Sequence, residues 1–383
     1  MTLRRWGRAV VAGLLLLGAS GCTSMPDIQS NAYATAIGID YKNGMWIAYA
    51  QVINFSTIAH SDQVEIGKEQ PVWIGSGKGE TVATALTDIG ATSQLRMFWG
   101  HVKALVMSEA ALKKDVKEIY SAINRYREVR YTVYVYGTNR DLREVLMQKS
   151  LLNMSPLYTT MFTGTQSSAP PAFIQPITAN RAISDLNEPG EHAWIPSIGI
   201  DTGDWTEDAK PRQMFMLTGA YFFRGNQMAT WMSVDELRGG RWAEPELERT
   251  PVIIRKDRSP VAMLMLSKPK LAIKIVDEPG GPRFKLYVKT KGFVMELMKE
   301  ASIAEMEAMA ARTIASEVEE TFRKAVRKRC DPFGLLEELY RSKPGKFHEV
   351  TTGSGFALSE RSLRGVEVKV RLVNTGKYQG KPP

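Results

Sequence analysis

The sequence predicts a mixed α/β (α+β) fold in more than one domain: an N-terminal mixed sheet with helices, then a C-terminal antiparallel sheet packed on a long helix. Three patterns carry that expectation. Between residues 32 and 147 a strand pair is followed by alternating helical and strand periodicities, as in a sheet covered by helices. Ser302 to Lys328 then holds the longest helical stripe of the chain, made by Ile303, Met306, Ala310, Ile314, Val318, Phe322 and Ala325. Around it lie segments of period two. In Arg364 to Asn374, Val366, Val368, Val370 and Leu372 alternate with Glu367, Lys369 and Arg371, which predicts a strand with one buried face.

In chain order, Ala32 to Asp40 and Met45 to Phe55 read as strands joined through Tyr41 to Gly44, where Asn43-Gly44 favours positive φ and closes a hairpin. Pro71 to Gly75 is a third short strand. Glu80 to Ala91 puts Val82, Leu86 and Ile89 on one helical face, and His101 to Ser108 returns to strand. Leu112, Val116, Ile119, Ile123 and Tyr126 predict one helix over Glu109 to Tyr126. Tyr131 to Gly137 and Arg140 to Met147 continue the alternation as strand and helix.

Ser150 to Asn180 carries no charge, and its Ser, Thr, Gly and Pro content predicts a long loop rather than a lipid-facing helix. Pro170, Pro171, Pro176, Pro189 and Pro196 punctuate the region. With the charged loops around Asp201 to Pro211 they place the main boundary: residues 32–205 form an N-terminal domain and 212–383 a C-terminal one. The latter divides into a middle subdomain at about 212–260 and the antiparallel sheet plus long helix at about 261–376. Within it, Gln213 to Arg224 and Gln227 to Met232 pair across Gly225-Asn226, and Lys270 to Val276 and Phe284 to Met298 flank a turn at Glu278 to Pro282. Ser302 with Glu305 makes a capping box for the long helix, and Phe333 to Arg341 is a short helix.

The first 21 residues predict export. Arg4, Arg5 and Arg8 precede the apolar run Ala9 to Leu17, the small residues Gly18 to Gly21, and then Cys22. The uncharged stretch is 13 residues, short of the roughly 20 that a membrane-spanning helix needs. A cysteine directly after small residues matches a lipobox, although Ala19 stands where leucine is most common. Residues 1–21 are thus expected as signal peptide, Cys22 as the lipidation site, and 22–31 as a tether. Two acyl chains on one thiol would give stable anchoring, at about 0.8 kcal/mol per buried methylene.

With 44% hydrophobic and 24% charged residues, the 383-residue chain has material for real cores. Its formal charge is +9; with the three signal arginines removed from 50 basic residues, against 41 acidic ones, it is +6. That excess suits a nearby anionic membrane surface. The Lys and Arg are dispersed and no nucleic-acid motif accompanies them, so no nucleic-acid partner is expected. If Cys22 carries lipid, Cys330 stands alone and no intramolecular disulfide forms.

No catalytic or metal site emerges. Asp40 ends a strand before a turn, where a carboxylate commonly bonds nearby amides. His101 follows Trp99-Gly100 without a Ser or Cys nucleophile motif. His60, His101, His192 and His348 are scattered and lack ligand spacing. Gly75-Ser76-Gly77-Lys78-Gly79 precedes a helix but lacks Walker spacing, and reads as a flexible strand-to-helix connection rather than a phosphate cradle. Glu317, Glu319 and Glu320 read as a solvated helix face. Cys330 follows Lys324, Arg327, Lys328 and Arg329, cations able to depress a thiol pKa, but the residue reads as a lone partly buried thiol. Trp194, Trp205, Trp231 and Trp242 cluster in sequence, as interface anchors or as core.

Taken together, the chain resembles the Ger(x)C family of spore-germination lipoproteins, the C subunits of nutrient germinant receptors. The resemblance rests on the lipobox cysteine, Ala36-Ile37-Gly38-Ile39-Asp40, Gly100-His101-Val102-Lys103-Ala104-Leu105-Val106, and Leu217-Thr218-Gly219-Ala220-Tyr221-Phe222-Phe223 with its Gly-Asn turn. Asp331-Pro332-Phe333-Gly334-Leu335 and the closing Asn374-Thr375-Gly376 extend it over nearly the whole mature sequence. It implies a three-part mixed α/β ectodomain on the outer face of the spore inner membrane, held by diacylglycerol and palmitate on Cys22. It implies no other cofactor, no enzymatic activity, and A- and B-type receptor subunits as partners. Contact with the nutrient stays open. A competing expectation is an extracytoplasmic solute-binding lipoprotein of a transporter, which would need two similar α/β lobes around a cleft.

Overall fold

The computed structural model describes residues 31–53, 71–164, 173–190, 193–278, 281–352 and 356–374. The expected signal peptide, Cys22 with most of its tether, Phe55, His60, Pro170, Pro171, His192, Thr375 and Gly376 lie outside the described residues.

The chain opens with a hairpin, β1 (Asn31–Lys42) and β2 (Met45–Ile53), whose two-residue turn sets Asn43 and Gly44 at φ 53° and 81°. β3 (Val72–Gly79) lies antiparallel on β2. Helix α1 (Val82–Ile89) follows, with Thr81 and Thr84 as a reciprocal cap. Then come β4 (Arg96–Phe98), β5 (Ala104–Ser108), helices α2 (Glu109–Leu112) and α3 (Val116–Asn124), and β6 (Tyr134–Thr138). After α4 (Leu142–Leu146), the short α5 (Thr160–Thr163), β7 (Ile177–Thr178) and α6 (Ala179–Asn187), the long strands β8 (Trp194–Glu207), β9 (Lys210–Arg224) and β10 (Gln227–Ser233) complete the sheet. Its order is β10-β9-β8-β6-β5-β1-β2-β3, with β4 beside β1 and β7 beside β6. The four central strands are parallel and both flanks antiparallel.

Both faces of this sheet are covered. Val82, Leu86 and Ile89 of α1, Ile119 and Ile123 of α3, and Ala182 and Leu186 of α6 pack on one face. Leu142, Val145 and Leu146 of α4 and Met161 and Phe162 of α5 pack on the other. Burial of each such Leu, Ile or Phe contributes about 1.5–3 kcal/mol. A buried polar latch crosses this second face: Thr35 Oγ1 donates to Gln51 Oε1 at 2.7 Å, and Gln51 Nε2 donates to the carbonyl of Leu146 at 2.7 Å.

A connector with a 3-10 segment, Arg238–Ala243, leads to a second sheet, β11 (Thr250–Lys256), β12 (Ser259–Glu278), β13 (Gly281–Leu297) and β14 (Leu363–Asn374), in that order. Between β13 and β14 run α7 (Ile303–Arg327), α8 (Leu335–Ser342) and α9 (Pro344–Thr351). The capping box is present: Glu305 N–H donates to Ser302 Oγ at 3.2 Å, and Ser302 N–H to Glu305 Oε2 at 2.8 Å. The stripe from Met306 to Ala325 is buried, whereas Ile303 stays exposed.

Several expectations change. The helix predicted over Glu109 to Tyr126 is broken at Lys113 to Asp115. Ser108 caps α2, and Asp115 takes the N–H of Glu118 at 3.0 Å to start α3 afresh. The strand expected from His101 begins at Ala104, because Val102 N–H turns back to the carbonyl of Trp99. The loop expected over Ser150 to Asn180 holds two 3-10 turns, Leu151–Asn153 and Pro156–Tyr158, besides α5 and β7. The C-terminal sheet is mixed rather than antiparallel, since β14 pairs parallel to β13. A strand that returns after a helical crossover re-enters its sheet in the same direction. The segment between 205 and 212 forms the tip of the β8–β9 hairpin, around Asp208 and Ala209, and the strands on either side pair in one sheet.

Gly75-Ser76-Gly77-Lys78-Gly79 is the strand β3 itself, not a connection. Its glycines let α1 lie directly on the backbone: a Cβ on Gly77 would stand 2.4 Å from the carbonyl oxygen of Ala85 and 2.6 Å from the nitrogen of Ile89. Neither backbone atom can swing away. Gly77→Ala should therefore cost about 1–3 kcal/mol by denaturant unfolding. The same change at Gly365, where nothing lies within 4 Å, should stay within about 0.5 kcal/mol.

Candidate functional site

Open α/β sheets hold ligands beyond the carboxyl ends of their parallel strands, where the strand order reverses. Here the parallel strands run β1, β5, β6, β8 across the sheet in one direction, without such a reversal. What gathers at that edge is a closed polar network. Asp40, buried near the end of β1, accepts the N–H of Tyr41 at 2.8 Å and the hydroxyl of Ser108 on Oδ1. Its Oδ2 meets Lys42 Nζ at 2.8 Å. Burial pushes the Asp40 pKa upward, but the hydrogen bonds from Lys42, Ser108 and Tyr41 outweigh it and hold the carboxyl below its usual range. Ser108 Oγ in turn accepts the N–H of Ala111 at 3.1 Å, so both its proton and its lone pair are engaged. This arrangement locks β1 to the start of α2.

His101 sits before β5, at the other end of that strand from Ser108. Its ring meets Tyr33 edge-on at 5.0 Å and Phe98 at 5.7 Å. Partial burial, with Arg130 and Lys103 nearby, lowers its pKa. The structure therefore does not bring Asp40 and His101 together. His348 lies on α9 against Phe347 and Tyr340. Among the described residues no group of three or more His, Cys, Asp or Glu is placed to hold a metal ion.

Cys330 is buried, with Sγ 3.3 Å from Met232 Sδ and donating to the Ala325 carbonyl at 3.6 Å. Burial pushes its thiol far up, and Asp331 adds to the shift. Lys328 pulls the other way, but burial and Asp331 outweigh it; Lys324 pairs with Glu320, Arg327 with Glu360 and Lys328 with Glu236. The tryptophans do not form a cluster: Trp242 is core, Trp205 is exposed on the β8–β9 hairpin, and Trp194 and Trp231 are half-buried in different packing groups.

The most densely bonded constellation was not legible in sequence. Glu317, expected on a solvated face, accepts from Arg241 Nη2 at 2.7 and 2.8 Å, and from Trp242 Nε1 at 2.8 Å. Arg241 Nη1 also donates to Thr250 Oγ1 at 3.0 Å, and its guanidinium lies 4.9 Å from the Trp242 ring centre. Gly239 makes this approach possible, since a Cβ there would lie 2.3 Å from the Glu317 carbonyl oxygen. Its N–H donates to Thr321 Oγ1 at 2.9 Å. Glu319 and Glu320 remain on the exposed face. A single Arg-Trp pair in a loop carries no periodicity, so no sequence signal marks it.

Comparison with known proteins matches residues 24–200 to the spore germination protein N-terminal domain, and residues 218–376 to the spore germination B3/GerAC-like C-terminal domain. Spore germination protein B3 of Bacillus subtilis (strain 168) is 20% identical over 375 residues, covering 94% of this chain and 96% of that relative. The crystal structure of the GerBC protein superposes with a TM-score of 0.54 at 16% identity, covering 91% of this chain and 100% of that one. The overall mixed α+β fold is thus shared.

Two outcomes test the networks. Glu317→Ala leaves the Arg241 guanidinium buried without its carboxylate and should cost about 3–5 kcal/mol in denaturant unfolding. Asp40, with its folded pKa lowered, contributes stability that is fully present above its ordinary pKa of 3.8 and lost as pH falls through the folded value. The stability gap between the native chain and Asp40→Asn should be constant near neutral pH and shrink below that value; a gap independent of pH would show that charge plays no part.

Proposed function

The chain belongs to the Ger(x)C family of spore germination proteins, and from that membership we propose that it is the lipid-anchored, non-catalytic C subunit of a nutrient germinant receptor. The observation that carries this reading is the continuity of the match. Two germination domains follow each other over 24–200 and 218–376, beginning two residues after the lipobox cysteine. Cys22 is where lipid would be attached, and diacylglycerol with palmitate is the only added group the reading requires. Among the described residues no helix is long and apolar enough to cross a membrane, so attachment in this reading rests on that thiol. The subunit would stand on the outer face of the spore inner membrane, beside membrane-spanning A- and B-type subunits.

A non-catalytic role is supported by the fate of the reactive candidates: Asp40 is saturated, Ser108 caps a helix, and Cys330 is buried. The solute-binding alternative is not favoured. It requires two similar lobes, whereas the sheets have ten and four strands in unrelated orders. A charged cleft of about 120 Å³ between α6 and α8, lined by Ser184, Asp185, Glu188, Pro189, Glu337 and Arg341, is well below the roughly 300 Å³ at which small-molecule sites begin.

Spores carrying Cys22→Ala test the proposal. The protein should leave the membrane fraction after a high-salt wash on immunoblots, and germination, read as loss of optical density after nutrient addition, should fail for the nutrients this receptor serves. Full release of the protein with normal germination on every nutrient would overturn it.

A further inference from the structure

The cations that are dispersed in sequence come together on one face of the second sheet. On β13, Phe284, Leu286 and Val288 are buried against the α7 core, so Lys285, Tyr287, Lys289 and Lys291 point the other way. On β14, Val366, Val368, Val370 and Leu372 pack inward, leaving Glu367, Lys369, Arg371 and Val373 on the same open face. The strand register then sets like charges opposite one another. Lys274 faces Lys285; Lys270 faces Lys289, which on its other side faces Lys369; Lys291 faces Arg371. On this face Glu367 is paired with Lys285, and at its far end Glu278 is paired with Arg283 and Arg364. Like charges directly opposite across strands destabilise a sheet. A face that keeps three such rows carries a cost that packing does not explain.

Beyond Lys291 the same face becomes apolar. Phe293 and Met295 follow on β13, Met263 and Met265 lie on β12, Ile253 on β11 and Val373 on β14, with Met295 and Val373 60% and 63% exposed. Glu296 stands at the margin of this strip. The cationic part extends about 10 Å across three strands and about 20 Å along them.

We propose that this open face of β12, β13 and β14 is a docking surface for the anionic phospholipid headgroups of a bilayer. Charge complementarity selects an anionic occupant, and an extended array of lysines suits many mobile headgroups rather than one fixed anion. The adjoining apolar strip selects a bilayer over a soluble polyanion, because Met and Phe side chains gain from entering the headgroup boundary and gain nothing from a hydrated polymer. The site is distinct from Cys22, and it does not depend on the receptor reading.

The test uses the full chain with Cys22→Ala, so that no acyl anchor contributes, in cosedimentation with vesicles of phosphatidylcholine alone or mixed with phosphatidylglycerol. The chain should bind the anionic vesicles, release as salt is raised, and ignore the neutral ones. Each lysine at an anionic surface is worth roughly fivefold in binding, so Lys289→Glu, a change of two charges, should weaken it roughly 25-fold. The same substitution sets a carboxylate between Lys270 and Lys369 and should leave the melting temperature unchanged or raised, which separates lost docking from lost folding. Met295→Ser should also weaken vesicle binding. Absence of binding to anionic vesicles, equal binding to neutral ones, or indifference to Lys289→Glu would overturn the proposal. Binding that is sensitive to Lys289→Glu but not to Met295→Ser would overturn it in favour of a soluble polyanion or an acidic protein.

Discussion

The placement of the second sheet depends on one contact: the bare backbone of Gly239 laid against α7 at Glu317, sealed by the Arg241–Glu317–Trp242 network. Removing a guanidinium and a carboxylate from water costs several kcal/mol per ion, so the pair is a poor source of net stability. Its value lies in geometry. The contact of Arg241 Nη2 with both Glu317 oxygens, the indole N–H bond and the Thr250 hydroxyl bond are all made in one arrangement, and that arrangement fixes the connector on the helix. The same helix reaches the first sheet through its last turns. Thr321 Oγ1 donates to the Glu236 carbonyl, Lys328 bridges Glu236 and the Trp231 carbonyl, and Cys330 packs on Met232. Helix α7 therefore belongs to both cores at once. A second close approach, at Gly190 with φ 123° against the backbone of Glu337, joins the end of α6 to α8 and reinforces that alignment.

Elements whose stabilising contacts are periodic were readable from the chain. The stripe of α7, its Ser302–Glu305 cap, the Asn43-Gly44 turn and the alternation of β14 all reach the structure nearly residue for residue. Periodicity could not reveal the break at Asp115, because the apolar positions on either side keep helical spacing while the side chain competes for the backbone at a single residue. Nor could it reveal the direction of β14. Alternation reports which face is buried, whereas parallel or antiparallel pairing is decided by the crossover through α7, α8 and α9. The glycines of β3 were misread for a related reason. Glycine signals flexibility in isolation, and here it signals a helix lying on a strand at backbone contact distance.

The candidate sites divide along the same line. Asp40 was expected to bond the neighbouring amide and does so, but its partner Ser108 is 68 residues away and entered only with the fold. Cys330 reads from the sequence as a lone partly buried thiol in spite of the cations beside it, and the structure buries it. In three dimensions those cations are claimed by carboxylates, and burial governs the thiol. The lysine face could not be read this way. Lys270, Lys289 and Lys369 are ordinary surface residues until strand register places them side by side.

A weak surface of this kind gains its use from being tethered. Free in solution, a few lysines and exposed methionines hold a bilayer only loosely, at about 1 kcal/mol for each lysine near the surface. With a lipidated Cys22, the nine residues to Asn31 would span at most about 30 Å, so the folded body would be confined to a thin layer above the membrane. Contact by the cationic face then becomes an intramolecular event, and an effective concentration in the millimolar range makes even weak adhesion frequent. The two attachments would differ in kind: the lipid sets distance, and the face sets orientation. Because α7 is shared between the two cores, orienting the second sheet on a bilayer would also orient the first. A charge change on β13 therefore has a physical route to whatever contacts the larger sheet makes with its neighbours.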